Sequence, residues 1–261
     1  MSLWFSLLYQ PLVNLLILFY QLLGQNLGAA IIGLTLAVRG LLLPLTLPSI
    51  RAAQKMRTLN PQLAKLKKKH GEDKQALTKA QMKLYQKHGL NPAAGCLPQI
   101  IQIIILIALF QAFNQVLRAD GEVAVKLNQV LYSRLQLAEE TTINSRFFYL
   151  DLTKPDLLEV KNWRLAGLEI NRLPGLFLIA AAVSQFISSK IMMSGAAAAQ
   201  AKAKKTKGQE DDLAAMMQKQ MLYMMPLMTL LIGFKFPSGL VLYWLTFSLF
   251  MLVQNWLIKK E

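Results

Sequence analysis

Residues 28–48 read GAAIIGLTLAVRGLLLPLTLP. A run of this length and composition is read as a helix that crosses a bilayer, since about 20 apolar residues span the hydrocarbon. Its one charge, Arg39, is the twelfth residue of the run. From Arg39 to the end of the run is about 14 Å at helical rise. A snorkelling side chain covers only part of that distance. The same stretch therefore sets the class of protein and raises the question of what keeps a cation at mid-depth.

The whole chain agrees with this reading. Its 261 residues have a mean hydropathy of +0.35 and are 54% hydrophobic. Only 16% are charged, against roughly 25% in a soluble protein. These values exclude a soluble enzyme and a disordered chain. Cys96 is the only cysteine, which excludes a disulfide scaffold.

The apolar blocks define the expected organisation. Residues 1–26 read as an amphipathic helix in the membrane interface, because Gln10, Pro11, Asn14 and Gln21 interrupt it; a full span is the alternative. Trp4, Phe5 and Tyr9 suit headgroup level. Residues 27–48, 93–117, 173–193, 219–236 and 239–258 are the five expected transmembrane helices. Phe236-Pro237-Ser238-Gly239 breaks the last long block in two. The fold class is thus an all-α integral membrane protein with five spans, an interfacial N-terminal helix and a cytoplasmic helical hairpin.

Charge sets the orientation. Ser49 to Pro92 holds 11 Lys/Arg and two acids, while Arg118 to Arg172 holds eight of each. Ser194 to Lys219 holds five Lys and three acids, and Lys259 and Lys260 end the chain. The positive-inside rule places the hairpin at 49–92, the flexible loop at 194–218 and the tail at 259–261 in the cytoplasm. The N-terminus and the 118–172 loop are then external, and that loop has room for short helices resting on the membrane. Ala196 to Lys207 is low-complexity and reads as a solvated linker.

Within the basic loop, Met56, Leu59, Leu63 and Leu66 recur at helical spacing, as do Leu77, Ala80, Leu84 and Tyr85. Gly71 separates the runs, Asp73 is placed to cap the second, and Gly89 to end it. Two helices packed along these stripes form a hairpin coated by Lys65, Lys67, Lys68, Lys69, Lys83 and Lys87. The coat either only sets topology or docks anionic lipid, ribosomal RNA or an acidic polypeptide. One aromatic, Tyr85, is no platform for reading bases, so DNA is not expected as a partner.

No Asp or Glu lies in the spans to pair with Arg39. An arginine at mid-bilayer costs on the order of 3 kcal/mol on insertion scales. Either it bonds backbone carbonyls of a neighbouring helix, or it lines a wet cavity open to one side. Uncharged polar residues available to wet such a cavity are Gln99, Gln102, Gln111, Asn114, Ser184, Gln185, Thr246, Gln254 and Asn255. The lack of membrane acids weighs against an ion-coupled pump. Both histidines lie in the basic hairpin, so no metal site is expected. No phosphate-binding glycine loop is present, and no cofactor is expected. Methionines 216, 217, 221, 224, 225 and 228 read as ordinary packing or as an adaptable surface for apolar segments.

Three motifs resemble one family. Val38-Arg39-Gly40-Leu41-Leu42-Leu43-Pro44-Leu45-Thr46, with Arg51 and Lys55-Met56, is similar to the first span of the YidC/Oxa-type membrane protein insertases. Asn91-Pro92 and Gly95-Cys96-Leu97-Pro98, followed by Gln102, resemble the start of their second span. Phe236-Pro237-Ser238-Gly239-Leu240, Leu242-Tyr243-Trp244 and Gln254 resemble their last hairpin. Gln99 and Ile103 depart from the apolar residue and proline usual near those positions.

The resemblance implies five helices around a hydrophilic groove, open to cytoplasm and lipid and closed outside. It makes Arg39 the groove arginine, Gln102 the second-span glutamine and Trp244 the last-span tryptophan. Gln99, Gln185 and Thr246 join them as expected groove residues. It further implies a short form without a large external domain. The implied activity is insertion and folding of newly made membrane proteins, without covalent catalysis or nucleotide hydrolysis. A client's polar tail would enter the groove, and its apolar helix would pass along the third and fifth spans into lipid. Expected partners are nascent clients and anionic lipids, with a ribosome and a Sec-type translocon also admitted. The expected location is the bacterial cell membrane. A small-solute channel or transporter is the alternative function, and a structural assembly subunit a further one.

Overall fold

Helices dominate the computed structural model, which describes residues 3–70, 73–90, 97–117, 123–165, 168–203 and 213–260. A π-helical turn, Phe5–Tyr9, leads into α1, Gln10–Leu22. Then follow α2 (Leu27–Thr58), α3 (Asn60–His70), α4 (Lys74–Lys87) and α5 (Leu97–Leu117). The connecting region holds α6 (Val123–Asn128) and four strands, β1 (Arg146–Phe147), β2 (Leu150–Asp151), β3 (Leu157–Leu165) and β4 (Leu168–Pro174). Helices α7 (Leu176–Ala203), α8 (Leu213–Gly233) and α9 (Ser238–Lys260) complete the chain. By length and composition Phe5–Leu22, Leu27–Ala52 and Ser238–Leu257 suffice to cross a membrane; the apolar parts Ile100–Val116, Leu176–Ile191 and Leu222–Gly233 are shorter.

The chain forms two compact units. One comprises Met1–Gly40, Ile103–Ser188 and Tyr223–Glu261; the other comprises Leu41–Gln102 and Ser189–Leu222.

In the first unit, α1 buries Leu12, Val13, Leu16, Ile17 and Tyr20 along one stripe. Its polar residues on that side are all used. Asn14 is 2% exposed; its Nδ2 donates to the carbonyl of Val130 (3.1 Å) and its Oδ1 accepts from the amide of Tyr132 (2.7 Å). Gln10 also donates to Val130, and the Tyr20 hydroxyl accepts from the amide of Asn144. The helix is thus stitched to the 130–144 segment.

The next segment, 144–156, ties three helix starts together. The Asn144 carbonyl accepts from the amide of Leu27, at the head of α2. Gly28 lets the Phe147 ring lie against that first turn, where a Cβ would strike it. Asp156, 2% exposed, accepts from the Leu178 amide (2.8 Å) with its carboxylate and from the Gly175 amide (2.8 Å) with its carbonyl, capping α7. Gly175 leaves the room this carboxylate occupies. The carbonyls of Lys154 and Leu152 accept from the amides of Ser238 and Gly239, at the head of α9, and the Ser238 hydroxyl donates to the Asp151 carbonyl. Leu150 and Leu152 of this segment are buried. An apolar core forms from Leu178, Ala181 and Val241, flanked by Phe177, Leu230, Trp244 and Leu245.

The 118–172 loop holds more than short helices. Besides α6 it forms two antiparallel hairpins, β1–β2 and β3–β4. The longer one sets Glu159 opposite Arg172, opposite charges that favour this register.

In the second unit, α3 and α4 pack against each other as a hairpin. Leu59 and Leu90 are buried, and Leu63, Leu66, Leu77, Ala80, Leu84 and Tyr85 half-buried. Asp73 caps α4, accepting from the amides of Gln75 and Ala76. Gly89, at φ +64°, turns the chain out of the helix. Gly71, the 91–96 motif and residues 204–212 lie outside the described residues. Helix α7 runs on to Ala203 and α8 begins at Leu213, where the sequence reading has a flexible loop over 194–218. Four consecutive alanines, the strongest helix formers, account for the extension of α7.

Candidate functional site

Arg39 lies on α2 and is 8% exposed. Its Nη2 is fully buried and has no hydrogen-bond partner. None of the hydrogen bonds or ion pairs found among the described residues involves the Arg39 side chain. Its contact is with an aromatic face: the guanidinium carbon sits 3.8 Å from the centroid of the Phe247 ring on α9. Phe247 in turn stacks with Tyr243, one turn earlier on the same helix (6.3 Å, 27°). A guanidinium over an aromatic face gains about 0.5–2 kcal/mol. That offsets only part of the desolvation of a buried charge.

The other expected groove residues divide between the two units. Gln185 of α7 accepts a hydrogen bond from the Thr229 hydroxyl of α8. The Thr246 hydroxyl donates to the Leu242 carbonyl of its own helix (2.8 Å). Trp244 packs on the Leu178–Ala181–Val241 core. Gln99 and Gln102 stand on α5, and Gln102 is half-buried. Two further amides on α9, Gln254 and Asn255, are buried with their nitrogens unpartnered. Phe247 is the residue that sequence reasoning missed. Its signal in the sequence is the i, i+4 aromatic pair Tyr243–Phe247.

Lys65, Lys69, Lys83 and Lys87 are exposed on α3 and α4, and Lys67 and Lys68 also lie on α3. Elsewhere α7 exposes Leu176, Ile179, Val183, Ile187 and Ile191 at helical spacing, and α8 exposes Met224, Met225 and Met228. These methionines face outward rather than filling a core. Among the described residues, no cluster of His, Cys, Asp and Glu could hold a metal ion.

The fold and site together define a mostly helical membrane protein with a buried arginine, whose Nη2 has no acceptor, on one apolar helix, and a basic helical hairpin. Comparison with known proteins gives the family. The family model described as 60Kd inner membrane protein matches residues 18–261. The chain is 31% identical to membrane protein insertase YidC 2 of Bacillus anthracis, over 99% of this chain and 82% of that protein. It is 32% identical to membrane protein insertase MisCA of Bacillus subtilis, over 98% and 79% respectively. It is also 32% identical to membrane protein insertase YidC of Fusobacterium nucleatum, over 100% and 99%. The chain belongs to the YidC/Oxa-type membrane protein insertases, bacterial membrane proteins that act on membrane-protein clients without covalent catalysis.

Proposed function

We propose that this insertase draws the polar tail of a nascent membrane protein into a positively charged groove around Arg39, then releases the client's apolar helix to lipid. The observation that carries the reading is the buried Nη2 of Arg39, a charged donor with no acceptor of its own. A client carboxylate or backbone carbonyl supplies that acceptor. Desolvation makes the attraction stronger than in bulk water. Gln185, Trp244 and Thr246, in the same unit as Arg39, are the further groove residues of this reading. Burial of the client helix drives release, at roughly 25 cal/mol per Å² of apolar surface. The exposed apolar stripe of α7 and the exposed Leu249, Val253 and Leu257 of α9 support a path along these two helices.

The same reading sets the orientation. The N-terminus and the 118–172 loop face outward, and the basic hairpin, the 194–218 segment and the C-terminus face the cytoplasm. The hairpin receives the client beside anionic lipid, a ribosome or a Sec-type translocon. Residues 1–26 lie in the interface, supported by the bonds from Gln10, Asn14 and Tyr20 to the polar 130–144 segment.

Reconstituted protein tests the mechanism. Arg39→Ala should slow insertion of clients with acidic tails, and Arg39→Lys should largely preserve it. Normal rates for Arg39→Ala with such clients would remove the electrostatic step.

A further inference from the structure

The tip of the β1–β2 hairpin breaks the usual chemistry of such turns. Phe147 pairs with Leu150, leaving Phe148 and Tyr149 as a two-residue loop. Phe148 adopts φ +52°, a left-handed conformation that such loops normally give to Gly or Asn. A side chain there is strained, because its Cβ crowds the following carbonyl oxygen. Yet Phe148 buries almost nothing in return: it is 85% exposed.

The ring is held in place rather than loose. Phe148 lies edge-on to Phe147 (4.8 Å between centroids) and 6.3 Å from Phe177, in the first turn of α7. Tyr149 lies 5.7 Å from Phe177; its hydroxyl donates to Asp156 (3.0 Å) and accepts from the Phe177 amide (3.3 Å). The aromatic cluster is thereby fixed to the head of α7, where Leu176 is 64% exposed and begins the apolar stripe. Exposed Arg146 borders it.

The length of α7 indicates what covers this cluster. Along the helix, Leu176 is followed by no charge until exposed Lys190. Those 14 residues rise about 21 Å, short of a hydrocarbon layer of about 30 Å. The aromatic tip lies beside the first turn of α7, the end where further apolar height is needed. Aromatic rings are favoured at this depth, and a neighbouring guanidinium suits headgroup phosphate.

We propose that Phe147, Phe148, Tyr149 and Phe177 form a lipid-docking surface that sinks into the bilayer interface and pins the head of α7 there. The partner is the membrane itself, at the outer leaflet in the orientation given above. The proposal rests on the reading of α7 as a span.

Spin labels on the full chain in lipid vesicles test it. In a Cys96→Ser background, nitroxides are placed at Phe148→Cys, at Val183→Cys in mid-span and at Glu140→Cys, an exposed loop position. Collision with oxygen and with a water-soluble nickel chelate gives the depth of each. The expected order is Val183 deep, Phe148 at the interface with at least threefold less nickel access than Glu140, and Glu140 in water. Phe148 as nickel-accessible as Glu140, with Val183 deep, would overturn lipid docking alone. Val183 and Phe148 both in water would overturn the span reading as well. A Phe148 label shielded from both reagents would place a protein surface there, a client or a second copy, and reject the lipid assignment.

Discussion

The guanidinium of Arg39 rests on the face of Phe247, 3.8 Å from its centroid, with Nη2 left without an acceptor. The site is therefore held at some expense to stability. Replacing a buried charge by an apolar side chain of similar volume is often stabilising by about 1–4 kcal/mol. Arg39→Met should raise the melting temperature in detergent while slowing insertion of acidic-tailed clients. Paired with Phe247→Leu in a double-mutant cycle, Arg39→Met should show a coupling of about 0.5–2 kcal/mol, the range of a cation–π contact.

Asp156 and Tyr149 should behave as one unit. Asp156→Ala leaves the Leu178 amide and the Tyr149 hydroxyl without their acceptor. The expected loss is about 2 kcal/mol, and about 1 kcal/mol for Tyr149→Phe. Thermal melts of the double variant should fall short of the sum. Gly175→Ala should destabilise by about 1–3 kcal/mol, because its methyl would occupy the position of the Asp156 carboxylate.

Acid should weaken the 144–156 segment through Asp151. Burial raises this carboxyl's pKa, but hydrogen bonds from the Thr153 hydroxyl and amide, from Lys154 and from Ser145 outweigh it, holding the pKa below the ordinary 3.8. A folded-state value below the unfolded one means a contribution that is complete above pH 3.8 and lost as pH falls through the depressed value. Melts of wild type and Asp151→Asn should differ by a constant amount near neutrality and converge below that pH.

The hairpin charge should appear in the lipid dependence of insertion. Replacing Lys65, Lys69, Lys83 and Lys87 by Gln removes about 1 kcal/mol of surface attraction per lysine. Insertion by the wild type should quicken with the anionic lipid fraction and slow with salt. The fourfold variant should show a flatter response to both.

Features encoded locally were legible in the sequence. Asp73 and Gly89 bracket α4, and the Pro237 turn separates α8 from α9. The α3–α4 stripes follow helical spacing because only one face of each helix is buried. Features that arise from long-range pairing were not legible. The partner of Arg39 lies 208 positions away on α9, and its attraction is to a ring face rather than to an oxygen or nitrogen atom. The β3–β4 hairpin pairs two segments of a loop of mixed composition, where no long alternation of apolar and polar residues marks either strand. The alanine run reads as low complexity, yet each of its residues favours helix.

The hydrogen bonds that run from 144–156 to the first turns of α2, α7 and α9 act like the band round one end of a sheaf. Any parting of those three helices that spares the band must widen away from it, as a fan opens from its rivet. A separation that reached the banded end would have to break those bonds first.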